Sequence, residues 1–159
     1  MQVRLIVLAA LATASPSDLT VTQDKPVVAI IGTGTLAETL GPVIGARGYR
    51  VIYGSRDPAR ESVRALVART GSEASAVGQR EAAQRAEIIL LAVPGEVVED
   101  VASSLGDLAG KIMIDVSGGA KRVAPDGYLE LVSDSTRAER IQSKHSTMRV
   151  VRINLPAIP

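Results

Sequence analysis

The sequence predicts an α/β fold: a doubly wound parallel sheet between two layers of helices. Three observations lead there. Short unbroken apolar runs recur along the chain, and such runs suit parallel strands buried on both faces. Stretches of helical period separate them, giving the alternation of successive βαβ units. The first run, Val27 to Ile31, passes straight into Gly32-Thr33-Gly34 and then into a helical pattern.

The elements follow in order. In that first turn Gly32 permits the tight bend and Gly34 leaves room for a ligand to approach the backbone. Ala37 lets helix and strand pack closely. This G-x-G-x-x-A spacing is that of a Rossmann dinucleotide-binding turn, in which the free N–H groups and positive dipole end of the helix face a pyrophosphate. The helix is expected over Leu36 to Arg47, with Leu36, Leu40, Val43 and Ile44 on its inner face and Gly48 ending it. Pro42 lies inside it, where a proline costs about 3 kcal/mol and kinks the axis.

The second strand is Arg50 to Tyr53. Asp57 is placed to cap a helix with Pro58 in its first position, and Val63, Leu66 and Val67 face the sheet. A short third strand falls near Ala74 to Val77, and a polar helix, Gln79 to Ala86, leads to the apolar run Glu87 to Val93. Pro94-Gly95 ends that run, and Val97, Val98, Val101 and Leu105 form the inner face of the next helix. Lys111 to Val116 is the fifth strand and Arg149 to Asn154 the sixth. Between them, Ser117 to Met148 shows a helix around Thr136 to Lys144 and no other clear pattern. The expected strand order is 3-2-1-4-5-6, with a crevice at the carboxyl ends of strands one and four.

The end of the second strand indicates which dinucleotide. An NAD-binding unit carries an Asp or Glu there, about 20 residues past the glycines, to bind the ribose 2′-hydroxyl. This chain has Gly54, then Ser55 and Arg56. Arg56 can grip a 2′-phosphate with paired N–H donors, Ser55 can add a hydroxyl, and Arg60 could close the pocket from the adjoining helix. The competing reading leaves Arg56 and Arg60 as solvated surface charge.

Four motifs together, I-G-T-G-T-L-A from Ile31, G-S-R-D-P from Gly54, L-L-A-V-P-G from Leu90 and I-D-V-S from Ile114, resemble the NADPH-dependent coenzyme F420 reductase family. Its wider grouping includes the cofactor domains of pyrroline-5-carboxylate reductases and of membrane metalloreductases. The likeness runs from Val27 to Leu155. It implies NADP(H) held by Gly32, Thr33, Gly34, Thr35, Leu36, Ser55, Arg56 and Arg60, with Ala92, Val93 and Pro94 beside the ribose and nicotinamide. It further implies a coenzyme F420 or flavin acceptor in the crevice near Thr35, Val93, Pro94 and Ser117. The chain departs from the family pattern at Pro42 and at Gly118-Gly119, where members usually carry Asn-Pro. The helical tail that follows Leu155 in relatives is expected to be missing here.

Composition narrows the alternatives. With 159 residues, 46% of them hydrophobic, the chain fits one domain with a sizeable core. A net charge of +1 gives no general pull toward nucleic acid or anionic membranes. Without cysteine there is no disulfide, thiolate nucleophile or zinc–cysteine site. Phe and Trp are also missing, so a flavin-like ring could stack only on Tyr49, Tyr53 or Tyr128. His145 reads as a solvent-facing helix end, and Asp115 either bears on the crevice or caps the following loop. Ser117 has no evident triad partner. Glu96, Glu99 and Asp100 read as an exposed helix face, with no metal-ligand pattern, and Arg80, Arg85, Arg137 and Arg140 as surface charge. Such scarcity suits hydride transfer, in which the cofactor carries the chemistry and the fold supplies position.

The expectation is therefore an NADPH-dependent oxidoreductase acting on small molecules, with no nucleic-acid partner and with a homodimer allowed. The alternatives are a non-catalytic NADP-binding module that senses or delivers the cofactor, and a degenerate Rossmann domain. Residues 1–25 read as a secretory signal peptide plus a short linker, and 26–159 as the NADP-binding domain. One positive charge precedes the apolar run Leu5 to Leu11, Ala12-Thr13-Ala14 supplies a small-x-small cleavage site, and Ser15 to Asp18 a polar break. That run is too short to span a bilayer. A genuine leader places the protein in the periplasm or outside the cell; a structural segment or a misplaced start leaves it in the cytoplasm, where NADPH and F420 reside.

Overall fold

The computed structural model describes residues 25–116, 121–123, 125–127, 129–131 and 136–153. All but the last residue of the leader expected over residues 1–25, and Ser117, Gly118, Gly119, Tyr128 and Asn154 onward, lie outside the described residues. Strands β1 (Val28–Ile31), β2 (Val51–Ser55), β3 (Ser75–Gly78), β4 (Ile88–Leu91), β5 (Ile112–Asp115) and β8 (Arg149–Arg152) form one sheet in the order β3-β2-β1-β4-β5-β8. Every pairing in it is parallel. This is the expected doubly wound order, reversing direction between β1 and β4. A two-stranded antiparallel hairpin, β6 (Lys121–Val123) and β7 (Leu129–Leu131), occupies part of the stretch that carried no sequence pattern.

Strand alternation sends side chains to two different cores. Ala29, Ile31, Ile89, Leu91 and Met113 point to one face, covered by α3 (Gln79–Arg85), α4 (Val98–Ser104) and α5 (Arg137–Lys144). Val28, Ile30, Val51, Tyr53 and Leu90 point to the other, packed by α1 (Thr35–Ala46) and α2 (Glu61–Thr70). Toward β8 Val151 and Ile153 remain 45% and 41% exposed.

Helix α1 runs unbroken through Pro42, and Leu36, Leu40 and Ile44 pack against the sheet as expected, but Val43 does not. Ala37 and Gly41 are its buried residues, and Val43 is 45% exposed. The reason is a close contact: a Cβ on Gly41 would come 1.6 Å from the Tyr53 hydroxyl oxygen. Residue 43 stands about 200° around the helix from 41, and so faces away. The Tyr53 hydroxyl donates to Thr70 Oγ1 at 2.6 Å, since Thr70 spends its own proton on the Leu66 carbonyl at 2.8 Å. Burial pushes the Tyr53 phenol above its ordinary range.

Helix α2 begins at Glu61, later than the Asp57-Pro58 signal suggests. Asp57 instead folds residues 57–60 into a turn, its Oδ1 accepting from the Ala59 amide at 3.2 Å. A single 3₁₀ turn, Gly95–Val97, precedes α4 and leaves Val97 exposed instead of facing inward.

Charged groups expected on open surface also tie α4 to α5: Glu99 accepts from Arg140 at 2.8 Å and pairs with Lys144 at 3.5 Å. The Arg140 bond, opposed by partial desolvation, holds the Glu99 carboxyl below the usual range. Thr136 caps α5 in a reciprocal box with Glu139. At the other end, Gln142 donates to the His145 and Met148 carbonyls and accepts from the Val150 amide, fastening α5 to β8.

Candidate functional site

The carboxyl ends of β1, β2 and β4 finish level, with Ile31 opposite both Gly54 and Leu91. The turn after β1 is pinned on either side: Gly32 N–H donates to the Gly54 carbonyl at 2.9 Å, and Ala92 N–H to the Ile31 carbonyl at 2.8 Å. Gly32 has φ +110°, and a Cβ there would come 2.3 Å from the Ala92 carbonyl oxygen. Only glycine fits. Gly34 differs, because nothing lies within 4 Å of a Cβ built on it. It is the N-cap of α1, and no side chain caps that helix. The first N–H groups of α1 therefore open onto free space, the arrangement that receives an anion.

A cleft of about 800 Å³ spreads from this turn, a size that holds a small organic cofactor. It brings together Gly32, Thr33 and Gly34 with Ser55, Arg56 and Arg60, and with Ala92, Val93 and Pro94. Thr35 and Leu36 do not line it; Thr35 is an exposed first residue of α1, and Leu36 packs against the sheet. Sequence reading missed Gly54, Asp57, Gln79, Val97 and Val101 as lining residues. Gln79 and the two valines could have been suspected only from their places just after the third and fourth strands.

The β2 end explains why no carboxylate stands there. A Cβ on Gly54 would meet Ile31 Cδ1 at 2.7 Å, Gln79 Cα at 3.1 Å and Ala82 Cβ at 3.3 Å. Any side chain at that position presses on Ile31 of β1 and on the first turn of α3. Ser55 is buried and its Oγ accepts from the Asp57 amide at 3.1 Å, which leaves the hydroxyl proton free to donate. Arg56 and Arg60 are exposed, and neither is ion-paired among the described residues. Arg60 reaches the cleft as the N-cap of α2, at the end of the turn, and not from within the helix.

Other candidates lie elsewhere. Asp115 is fully buried at the end of β5 and does not line the cleft. Arg137 is not simple surface charge: its guanidinium rests on Gly95, where an added Cβ would come 2.5 Å from Nη1. His145 is the C-cap of α5 and donates its backbone N–H to Ile141 and Gln142 carbonyls. Among the described residues there is no cluster of metal-ligating side chains, and no helix is long and apolar enough to cross a membrane. A recess of about 940 Å³ at the opposite end of the sheet is lined by Lys25, Gly48, Arg50, Glu73 and Glu87. It sits at the amino ends of the strands, where α/β sheets do not bind their ligands.

Comparison with known proteins agrees with this geometry. The rat (Rattus norvegicus) protein Metalloreductase STEAP3 is 30% identical over 137 residues, 86% of this chain and 24% of its own length. A solved structure from Arthrobacter sp. FB24, described as an F420-dependent NADP-reductase, superposes with a TM-score of 0.67 at 24% identity, covering 80% of this chain and 62% of that one. A hypothetical protein from Sinorhizobium meliloti gives a TM-score of 0.66 at 27% identity, covering 82% of this chain and 62% of the other. The chain thus spans about a quarter of the rat protein and less than two thirds of these two structures. Residues 27–119, from the start of β1 through the segment after β5, match the family of coenzyme F420-dependent NADP oxidoreductases. The match takes in Gly32, Gly34, Ser55, Arg56 and the Ala92-Val93-Pro94 turn, more than half of the chain, and the chain belongs to that family.

Proposed function

We propose that this chain binds NADPH along the cleft and supports hydride transfer between its nicotinamide and a flavin-like acceptor of the F420 type. The observation that carries the cofactor choice is the β2 end. A strand end crowded by Ile31 and α3, followed by a buried serine hydroxyl and two guanidiniums that are not ion-paired among the described residues, suits a phosphate and not a free ribose hydroxyl. The family name and the Arthrobacter relative suggest the acceptor.

Each part of the cleft then has a task. The uncapped start of α1 receives the pyrophosphate, and Ser55, Arg56 and Arg60 hold the 2′-phosphate. Ala92, Val93 and Pro94 border the nicotinamide half and shield it from water. When bound, NADPH supplies the hydride; no side chain of the protein needs to act as nucleophile.

Calorimetric titration with NADPH and NADH tests this. NADPH should bind more tightly, and Arg56→Glu should weaken it by about 10- to 100-fold, the worth of a charge-assisted contact, while changing NADH little. Equal losses for the two cofactors would remove Arg56 from the phosphate. No binding of either would end the oxidoreductase reading.

A further inference from the structure

Beside the phosphate corner lies a polar side chain with no task so far. Ser55 is the register partner of Gly78, so Arg56 and Gln79, the first residue of α3, directly follow the paired ends of two neighbouring strands. Gln79 is held close there, its Cα 3.1 Å from the place a Gly54 Cβ would take. Gln79 lines the cleft and is half-buried, and its side chain has no hydrogen-bond partner among the described residues. Val97 and Val101 supply apolar wall in the same cleft, Val97 being 42% exposed.

Covalent structure links this corner to the phosphate site. In NADPH the base is bonded to C1′ of the ribose whose 2′-oxygen carries the phosphate, so a phosphate on Arg56 brings the base within a few ångströms. We infer that Gln79 reads the 6-position edge of that base, with Val97 and Val101 covering one of its faces. The inference rests on the NADPH reading above and deepens it, adding a base-recognition residue. A carboxamide carries one acceptor and one donor group, which match the 6-amino group and N7 of a 6-aminopurine.

The test compares NADPH with its deamino analogue, in which hypoxanthine replaces adenine. Dissociation constants are measured for the wild type, Gln79→Leu and Gln79→Glu, with thermal midpoints to confirm folding. Leucine removes both bonds, so NADPH should weaken by about tenfold and the two bases should become equivalent. Glutamate still accepts from the adenine amino group but faces the lone pairs of the hypoxanthine oxygen. Its preference for NADPH over the deamino analogue should therefore exceed that of the wild type, by about tenfold. An identical base preference in all three proteins, with NADPH still bound, would overturn the role of Gln79 and leave the cofactor reading intact. Failure of the wild type to bind NADPH would overturn both. Should the leucine variant not fold, the glutamate variant carries the comparison alone.

Discussion

Helices α1 and α5 begin in opposite ways. Helix α5 satisfies its own first turn: Thr136 Oγ1 accepts from the Glu139 amide at 3.2 Å, and the Glu139 carboxylate accepts from the Thr136 amide at 2.6 Å. Helix α1, longer by a turn, starts at Gly34 with no side-chain cap. A cap contributes about 1 kcal/mol, so α1 forgoes stabilisation that α5 takes. On the proposed cofactor reading, the difference separates a helix that serves packing from one whose donors are kept for a ligand.

Substitutions at the two starts put that contrast at risk. The largest effect is expected from Gly32→Ala, which forces a side chain to φ +110° and into the Ala92 carbonyl. Stability should fall by about 3 kcal/mol and NADPH binding should be lost; a chemical melt and a titration would show both. Next comes Gly34→Asp. The site has φ −88° and open space, so the new carboxylate can cap α1 without strain. The protein should melt slightly higher, by about 0.5 kcal/mol, while NADPH weakens by at least about tenfold. A variant that gained stability and kept its affinity would show that α1 does not face the phosphates.

At the other helix, Thr136→Ala should cost about 1 kcal/mol in a denaturant melt and leave NADPH affinity unchanged. The smallest effect concerns acid. The backbone bond from Thr136 holds the Glu139 carboxyl below the usual range. A depressed carboxyl stabilises the fold above its ordinary pKa, and the contribution disappears as pH falls through the lower folded value. The advantage of the wild type over Glu139→Gln should thus be present at neutral pH and vanish in strong acid. Persistence of that advantage at low pH would detach Glu139 from the cap.

What sequence could show depends on how local the constraint is. The turn at Gly32 was legible because backbone geometry alone demands glycine there, and the strand order followed from the alternation of strand and helix. Val43 was placed inward because α1 has apolar residues on more than one side. The true facing is decided by Tyr53 against Gly41, a contact between two elements. The Asp57-Pro58 pair signals a helix start and a tight turn equally well, and the chain uses it for the turn. Glu99 and Arg140 stand 41 residues apart, so nothing local announces their bond. Gln79, Val97 and Val101 reach the cleft only because α3 and α4 begin beside it. Three-residue strands such as β6 and β7 are too short to carry a period.

The contact between Gly41 and Tyr53 reaches into the history such a chain can have. One pocket under α1 holds the hydroxyl of residue 53 in the space that a side chain at 41 would need. Neither position can drift alone. A methyl group gained at 41 collides with the ring, and a ring lost at 53 leaves a void beneath the helix that follows the glycine turn. The two residues are therefore coupled in the packing, and position 41 accepts a side chain only where residue 53 gives up the space its hydroxyl fills.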